Sequence, residues 1–461
     1  MQTIINNDLI QVTNPSSILL SRIKAELHFV DKSKQYQIKR MSRNPYSRNS
    51  PLYAQLLKEV EGNLFILEGN TLKFSSSFFD IYKDRLGNII DKRASTGTTI
   101  ALPWVVKPHP MRDYQDECVE LMVHNNRGLI CAATGLGKSL IMINAIKRII
   151  RKTLIIVPSE SIASQFYDSL VSAFGKNRVA LFGKGKKKIA DITVGIAASV
   201  TRNIDLFQTA DLGLVMFDET HMIAANTFFD IAQGLAKVGQ LFGLTATDFR
   251  SDGKDIMITA GCGPVLINRD VCWGIDNGWL AIPSFIVREI NTGGKDIKDD
   301  KLKSYKEHIL NNPIMKARIE GDARSMMAAG KSVLILVDEV AHGEELSKNL
   351  GIPFATGEDK KSQSYLDDLN AGRVPGLVGT DGKIGQGSDT RNVDVLIMAQ
   401  FTASRGPVIQ AVGRALRKQG LKTKALILDY KIVDSTMLNR HAQSRIGFYQ
   451  DITDKVKVIK I

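Results

Sequence analysis

From residue 126 onward the chain is punctuated by short, almost unbroken apolar runs: RGLICAA, TLIIVP, ITVGIAA and LGLVMFD, then SVLILVD, GLVGT, DVLIMAQ and KALILDY. A strand that is apolar at successive positions is buried on both faces, as in a parallel sheet covered by helices on either side. The intervening sequence agrees: KSLIMINAIKRIIRK places Leu140, Ile143, Ile146 and Ile150 along a helical stripe. The runs form two sets, separated by the charged stretch NTGGKDIKDDKLKSYKEH, which reads as a surface connection or helix. At 461 residues the chain is also too long for one core. Two α/β domains in succession are expected.

Residues 1–105 follow another pattern. NLFILEGNTLKF alternates as strands do, DRLGNII carries a turn at Gly87–Asn88, and SPLYAQLLKEV reads as one short helix. SRNPYSRNSP is a polar loop, and Arg40, Arg43, Tyr46 and Arg48 cluster around it. A small α+β or mostly β N-terminal domain is predicted. LPWVVKPHPMRDYQ, with Pro103, Pro108 and Pro110, reads as the linker that follows.

Composition narrows the partner. The formal charge of +13 favours a polyanion, nucleic acid before an anionic membrane. The segment GKGKKK concentrates lysine at residues 184–188, and MLNRHAQSRIGFYQ mixes arginine with aromatics. Cys118, Cys131, Cys262 and Cys272 form no C-x-x-C pair and read as reduced thiols. MQTIINNDLI lacks the layout of a signal peptide, and no apolar run has bilayer length. A cytoplasmic protein without membrane function is expected (host cytoplasm, if phage-encoded).

The chemistry begins at AATGLGKS, residues 132–139, between an apolar strand and a helix. There Gly135 and Gly137 let backbone N–H groups approach phosphate oxygens at a helix N-terminus, and Thr134 is expected to contact ATP beside them. Lys138 would reach the β- and γ-phosphates of ATP, and Ser139 would ligate Mg²⁺. Ala132 stands where the strict phosphate-loop pattern has glycine. Eighty residues on, LVMFDETH puts Asp218 at a strand end, suited to Mg²⁺, and Glu219 beside it as base or water-orienting group. Near the C-terminus, QAVGRALRKQG sets Gln410, Gly413, Arg414 and Arg417 on one helical face, with Pro407 to start that helix and Gly420 to end it.

These motifs and their order resemble superfamily 2 DExH-box helicases over about residues 107–440. DETH resembles the DExH box, MRDYQ the adenine-recognition segment, LIIVPSESIASQF motif Ia, GLTATDFRSDG motif III, GTDGKIGQGSDTRNVDVLI motif V and QAVGRALRK motif VI. The resemblance implies two tandem RecA-like domains, residues 106–285 and 286–461. It implies adenine contacts from Arg112 and Gln115, and nucleotide contacts from Gly387 and Asp389. Arg417 would be the γ-phosphate arginine finger, with Arg414 assisting. His221, Thr245, Ala246, Thr247 and Gln410 would couple ATP to DNA. Ser159, Gln165, Ser199, Arg250 and Thr380 would touch DNA. Asp248 replaces the proline common after motif III, and Gln386 and Arg391 depart from the usual motif V.

Within the superfamily the layout resembles phage UvsW-like branch-migration helicases. The expectation is an ATP- and Mg²⁺-dependent DNA helicase or translocase, a monomer acting without sequence preference on forked or Holliday-type DNA. The N-terminal domain would recognise the branch. Alternatives are an RNA helicase or a restriction-type duplex translocase subunit, and a DNA-binding protein that nucleotide regulates without hydrolysis. Glu219 and the two motif VI arginines argue against the last, because a pure binder needs neither a base nor transition-state charge stabilisation.

Overall fold

Among the described residues, seven short strands belong to the N-terminal module: β1 (Gln2–Ile5), β2 (Leu9–Thr13), β3 (His28–Val30), β4 (Glu61–Asn63), β5 (Phe65–Glu68), β6 (Thr71–Ser75) and β7 (Asn88–Asp91). Five form a sheet of order β5-β6-β2-β1-β7, and β3 pairs with β4 apart from it. Alternation selects the buried face, with Ile10 and Val12 of β2 beside Leu72 and Phe74 of β6. Helices Ser17–Glu26, Lys32–Met41 and Pro51–Glu59 make the module α+β. Each starts at a side-chain cap: Ser16, Asp31 and Ser50 accept from Leu19, Lys34 and Tyr53 N–H at 3.1–3.2 Å. The computed structural model describes residues 1–42, 45–220, 225–246, 255–298, 300–357, 359, 361–380, 390–418 and 420–460.

The second sheet comprises β8 (Arg127–Ala132), β9 (Thr153–Val157), β10 (Val179–Gly183), β11 (Lys186–Lys187), β12 (Ile192–Ile196), β13 (Leu214–Asp218), β14 (Gln240–Thr245) and β15 (Val265–Arg269). Its order is β11-β10-β12-β9-β13-β14-β8-β15. The ladders from β10 through β12, β9, β13 and β14 to β8 are parallel. Ile155 of β9 joins the hydrophobic cluster of one face, while Leu154 and Ile156 join that of the other. This two-sided burial is what the unbroken apolar runs predict. The proline-bearing linker is packed down: Trp104 stacks on Phe174 at 5.0 Å, and Lys147 Nζ donates to Leu102 O.

The third sheet holds β16 (Ile282–Ile290), β17 (Val333–Val337), β18 (Phe354–Ala355), β19 (Gly376–Thr380), β20 (Val395–Ala399), β21 (Lys424–Ile432) and β22 (Val456–Lys460). Its order is β18-β19-β17-β20-β21-β16-β22, with every ladder parallel. The charged stretch after β16 is partly interior, for Thr292, Ser304, Tyr305 and His308 are all buried. By contacts, Met1–Ala132 with Gly137–Asn268 form one compact unit, and Ala133–Leu136 with Arg269–Ile461 form the other.

Candidate nucleotide site and nucleic-acid contacts

Parallel pairing explains how residues eighty positions apart meet. Asp218 at the end of β13 lies in register with Leu244 of β14, and Thr245 lies in register with Cys131 of β8. The C-terminal ends of all three strands therefore share one edge, where parallel α/β sheets bind ligands. β8 leads into the glycine loop. Gly135 and Gly137 adopt φ of 96° and 82°, a left-handed backbone that glycine enters without a side-chain clash. Gly137 is the N-cap of helix Lys138–Ile149, and Ser139 is exposed in its first turn.

Lys138 is buried, and its Nζ lies 3.1 Å from Glu219 Oε1 and 3.2 Å from Ala132 O. Glu219 holds a left-handed φ of 48°, which costs a side chain with a β-carbon on the order of 1–3 kcal/mol. That strain turns the chain sharply after β13 and presents the carboxylate to Lys138. Burial lifts the Asp218 carboxyl well above the usual carboxylate range, to about 7; Glu219 pushes the same way and Lys138 opposes. A cation brought to this edge would reverse that bias.

Gln115 closes the loop from another side. Its Oε1 accepts from Arg112 N–H at 3.0 Å, and its Nε2 would sit 2.4 Å from a β-carbon at Gly137. Any larger residue at 137 would displace it. Arg112 Nη1 donates to the Tyr114 hydroxyl at 3.0 Å. Thr245 and Ala246, at the end of β14, are buried. His221, Thr247 and Arg250 lie outside the described residues, as do Gly387 and Asp389.

The candidate nucleic-acid residues of this unit sit farther along the same sheet edge. Ser159 follows β9 and its hydroxyl caps helix Glu160–Phe174, accepting from Ile162 N–H. Gln165 is exposed on that helix, and Ser199 lies half-buried in helix Ala197–Thr201 after β12. The lysine run forms a hairpin from β10 to β11, with Lys184, Lys186, Lys187 and Lys188 exposed and Lys184 paired with Glu160.

In the second unit, Thr380 ends β19 and is half-buried. Gln410, Gly413 and Arg414 lie on helix Arg405–Ala415, all buried. The helix starts two residues before Pro407 and ends at Ala415, short of the expected Gly420. A tight turn follows, with Arg417 N–H donating to Arg414 O at 3.3 Å, and Arg417 forms an isolated bridge with Leu280. Arg417 is thus held by backbone pairing rather than by helical position.

In the C-terminal arginine–aromatic segment Arg440 is exposed, whereas Arg445 is turned into the core. Arg445 is fully buried, Nε and Nη2 donating to Asp429 at 2.7 and 2.9 Å. The Tyr449 hydroxyl donates to Asp429 Oδ2 at 2.8 Å, and Tyr430 and Thr402 carbonyls accept from the guanidinium. Sequence spacing alone held no signal for this pairing.

Residues 108–250 match the family model described as Type III restriction enzyme, res subunit. The putative DNA 3'-5' helicase Rad25 of Halobacterium salinarum is 25% identical over 355 residues, covering 73% of this chain and 56% of the relative. The chain spans about half the length of the curated relatives it matches. Among solved structures, a fragment of a putative HsdR subunit of a type I restriction enzyme from Vibrio vulnificus aligns at a TM-score of 0.58. That alignment has 19% identity over 78% of this chain and 70% of the other. The crystal structure of T4 UvsW aligns over 100% of both chains, at 18% identity and a TM-score of 0.44. No helix among the described residues is long and apolar enough to cross a membrane. The fold is two RecA-like parallel-sheet domains following a small α+β module, and in relatives and motif order the chain is similar to superfamily 2 helicases.

Proposed function

We propose that this chain is an ATP-dependent DNA helicase or translocase that remodels branched DNA, forks and Holliday-type junctions included. The observation that carries the reading is the pairing of Lys138 with Glu219 at the mouth of a glycine loop with two left-handed residues. The residues fit a nucleotide triphosphate: a glycine loop opening a helix, a buried lysine, and two carboxylates on one strand edge. Thr134, Gly135, Gly137 and Lys138 would hold the phosphates, and Arg112 and Gln115 the adenine. Ser139 and Asp218 would hold Mg²⁺, which would supply charge neutralisation of the phosphates. Glu219 orients and deprotonates the attacking water. Arg414 and Arg417 stabilise transition-state charge, as expected of residues that bind tightly only as charge develops.

In this reading residues 1–105 recognise the branch, 106–285 carry the ATP motifs, and 286–461 complete the motor. Arg40, Tyr46 and Arg48 lie on neighbouring short helices and would meet DNA there. Ser159, Gln165, Ser199, Thr380 and the lysine hairpin would grip phosphates, giving the sequence-independent hold that translocation needs. Coupling would run through Thr245, Ala246 and Gln410. The relative's name, a DNA 3'-5' helicase, supports DNA as the track. A restriction-type duplex translocase is the second reading, favoured by the match of residues 108–250. ATPase stimulation by forks, plain duplex and RNA, measured side by side, separates these. Fork DNA is expected to stimulate most; equal stimulation by plain duplex favours the second reading, and preference for RNA refutes both.

A further inference from the structure

The N-terminal module packs on a helix end of the domain that carries the glycine loop. Ser77, buried in the module, donates to Gly261 O at 3.1 Å, and Ser75 donates to Ala260 O at 2.8 Å. Both carbonyls belong to the last turn of helix Asp255–Cys262, where intrahelical partners run out. The module therefore caps this helix. Ala260 is part of the module's own core, and Ile256 and Phe229 pack against that core.

The next residue carries the contact inward. Cys262 is fully buried, and a β-carbon at Gly243 would lie 3.0 Å from its Sγ and 3.1 Å from Thr220 Cγ2. A β-carbon at 243 would crowd both, and Leu129 Cδ1 more closely at 2.7 Å, so Cys262 and Thr220 pack on either side of this glycine. Thr220 adjoins Glu219, and its hydroxyl donates to Leu244 O at 3.4 Å, one residue before Thr245. The seam continues at the N-terminal ends of the strands, where Ser76, next to Ser77, donates to Asn7 O and Gly263 sits against Arg127. Arg127, the first residue of β8, is buried and donates through Nη2 to Asn7 O at 3.0 Å and Val238 O at 3.1 Å. Asn7 Nδ2 donates in turn to Lys237 O at 3.0 Å, in the turn that leads into β14.

We propose that the module is a regulatory arm of the ATP site, with Ser77 a positioning residue that acts through Gly261, Cys262 and Thr220 on Glu219. Strain placed on the module by bound nucleic acid then reaches the strand ends that hold Glu219 and Thr245, and changes the rate of turnover. A contiguous run of packed side chains and hydrogen bonds is the physical basis for such coupling. The inference rests on the ATPase reading above.

The test uses the full chain with Ser77→Ala, and Ser75→Ala should the first variant fail to fold. Steady-state kinetics are expected to show kcat lowered about five-fold with KM for ATP within about two-fold of wild type. Hydrogen exchange is expected to quicken in peptides covering residues 214–220 and 240–246. A merely structural role would lower the melting temperature without this kcat-selective change. A folded variant with wild-type kcat and wild-type exchange overturns the inference. Absence of hydrolysis by the wild-type chain itself would instead overturn the ATPase reading, and the exchange result would still decide whether module and site are linked.

Discussion

Lys138 Nζ lies 3.1 Å from Glu219 Oε1, although the two residues belong to different strand–helix units. The pair exists because β13, β14 and β8 are parallel and in register, which brings the glycine loop and the strained turn at Glu219 to one edge. With ATP bound, the phosphates would draw Lys138 toward themselves and leave Glu219 to act on water. In the proposed ATPase the ion pair would be the resting arrangement of two groups that separate for turnover.

Arg417 stands one turn beyond its helix, fixed by the bridge to Leu280. Arg417→Ala is expected to slow hydrolysis by roughly a thousandfold while nucleotide affinity changes little, the signature of an arginine that stabilises transition-state charge. Fluorescent-nucleotide titration beside a phosphate-release assay checks both halves. Turnover that survives would return this arginine to an ordinary structural role.

Arg445 and Asp429 are a buried ion pair satisfied on nearly every side. Breaking it from one end, in Asp429→Asn, leaves a charge without its counter-charge in the core and should cost about 3–5 kcal/mol of stability. Chemical denaturation measures this. A loss below about 1 kcal/mol would mean that water or another group replaces the carboxylate.

His342 is fully buried, and its Nδ1 shares a hydrogen bond of 2.9 Å with the Tyr305 hydroxyl. Burial lowers its pKa from 6.5 to about 4, against a raising effect of Glu345 and alongside a lowering one of Lys316. The folded state thus favours the neutral ring, and the unfolded chain binds the proton more readily. The contribution is complete above about pH 6.5 and declines toward pH 4, by roughly 3 kcal/mol in all. Denaturation midpoints across this range should fall more steeply for wild type than for His342→Gln. Parallel curves would contradict the assignment.

Much of this architecture is legible in the sequence for a simple reason: double-sided burial writes itself as unbroken apolar runs, and each such run from RGLICAA to KALILDY contributes a strand. The glycine loop is legible too, since Gly135 and Gly137 take φ values that other residues resist. Other features leave no local trace. Arg445 looks like a surface arginine until the fold brings Asp429 to it, sixteen positions earlier on a neighbouring strand. The end of the motif VI helix at Ala415 comes from the pairing of Arg417 with Leu280, which no helical periodicity encodes. Arg127 and Ser77 bind carbonyl oxygens far away in sequence, and a carbonyl has no residue type to recognise.

The most direct test of the account is the behaviour of Glu219→Gln. The variant keeps the size and polarity of the side chain but removes its basicity. In the presence of forked DNA and Mg²⁺, ATP should bind with near wild-type affinity while hydrolysis falls on the order of 10²–10⁴-fold. DNA-stimulated hydrolysis at the wild-type rate in Glu219→Gln would contradict the proposed site.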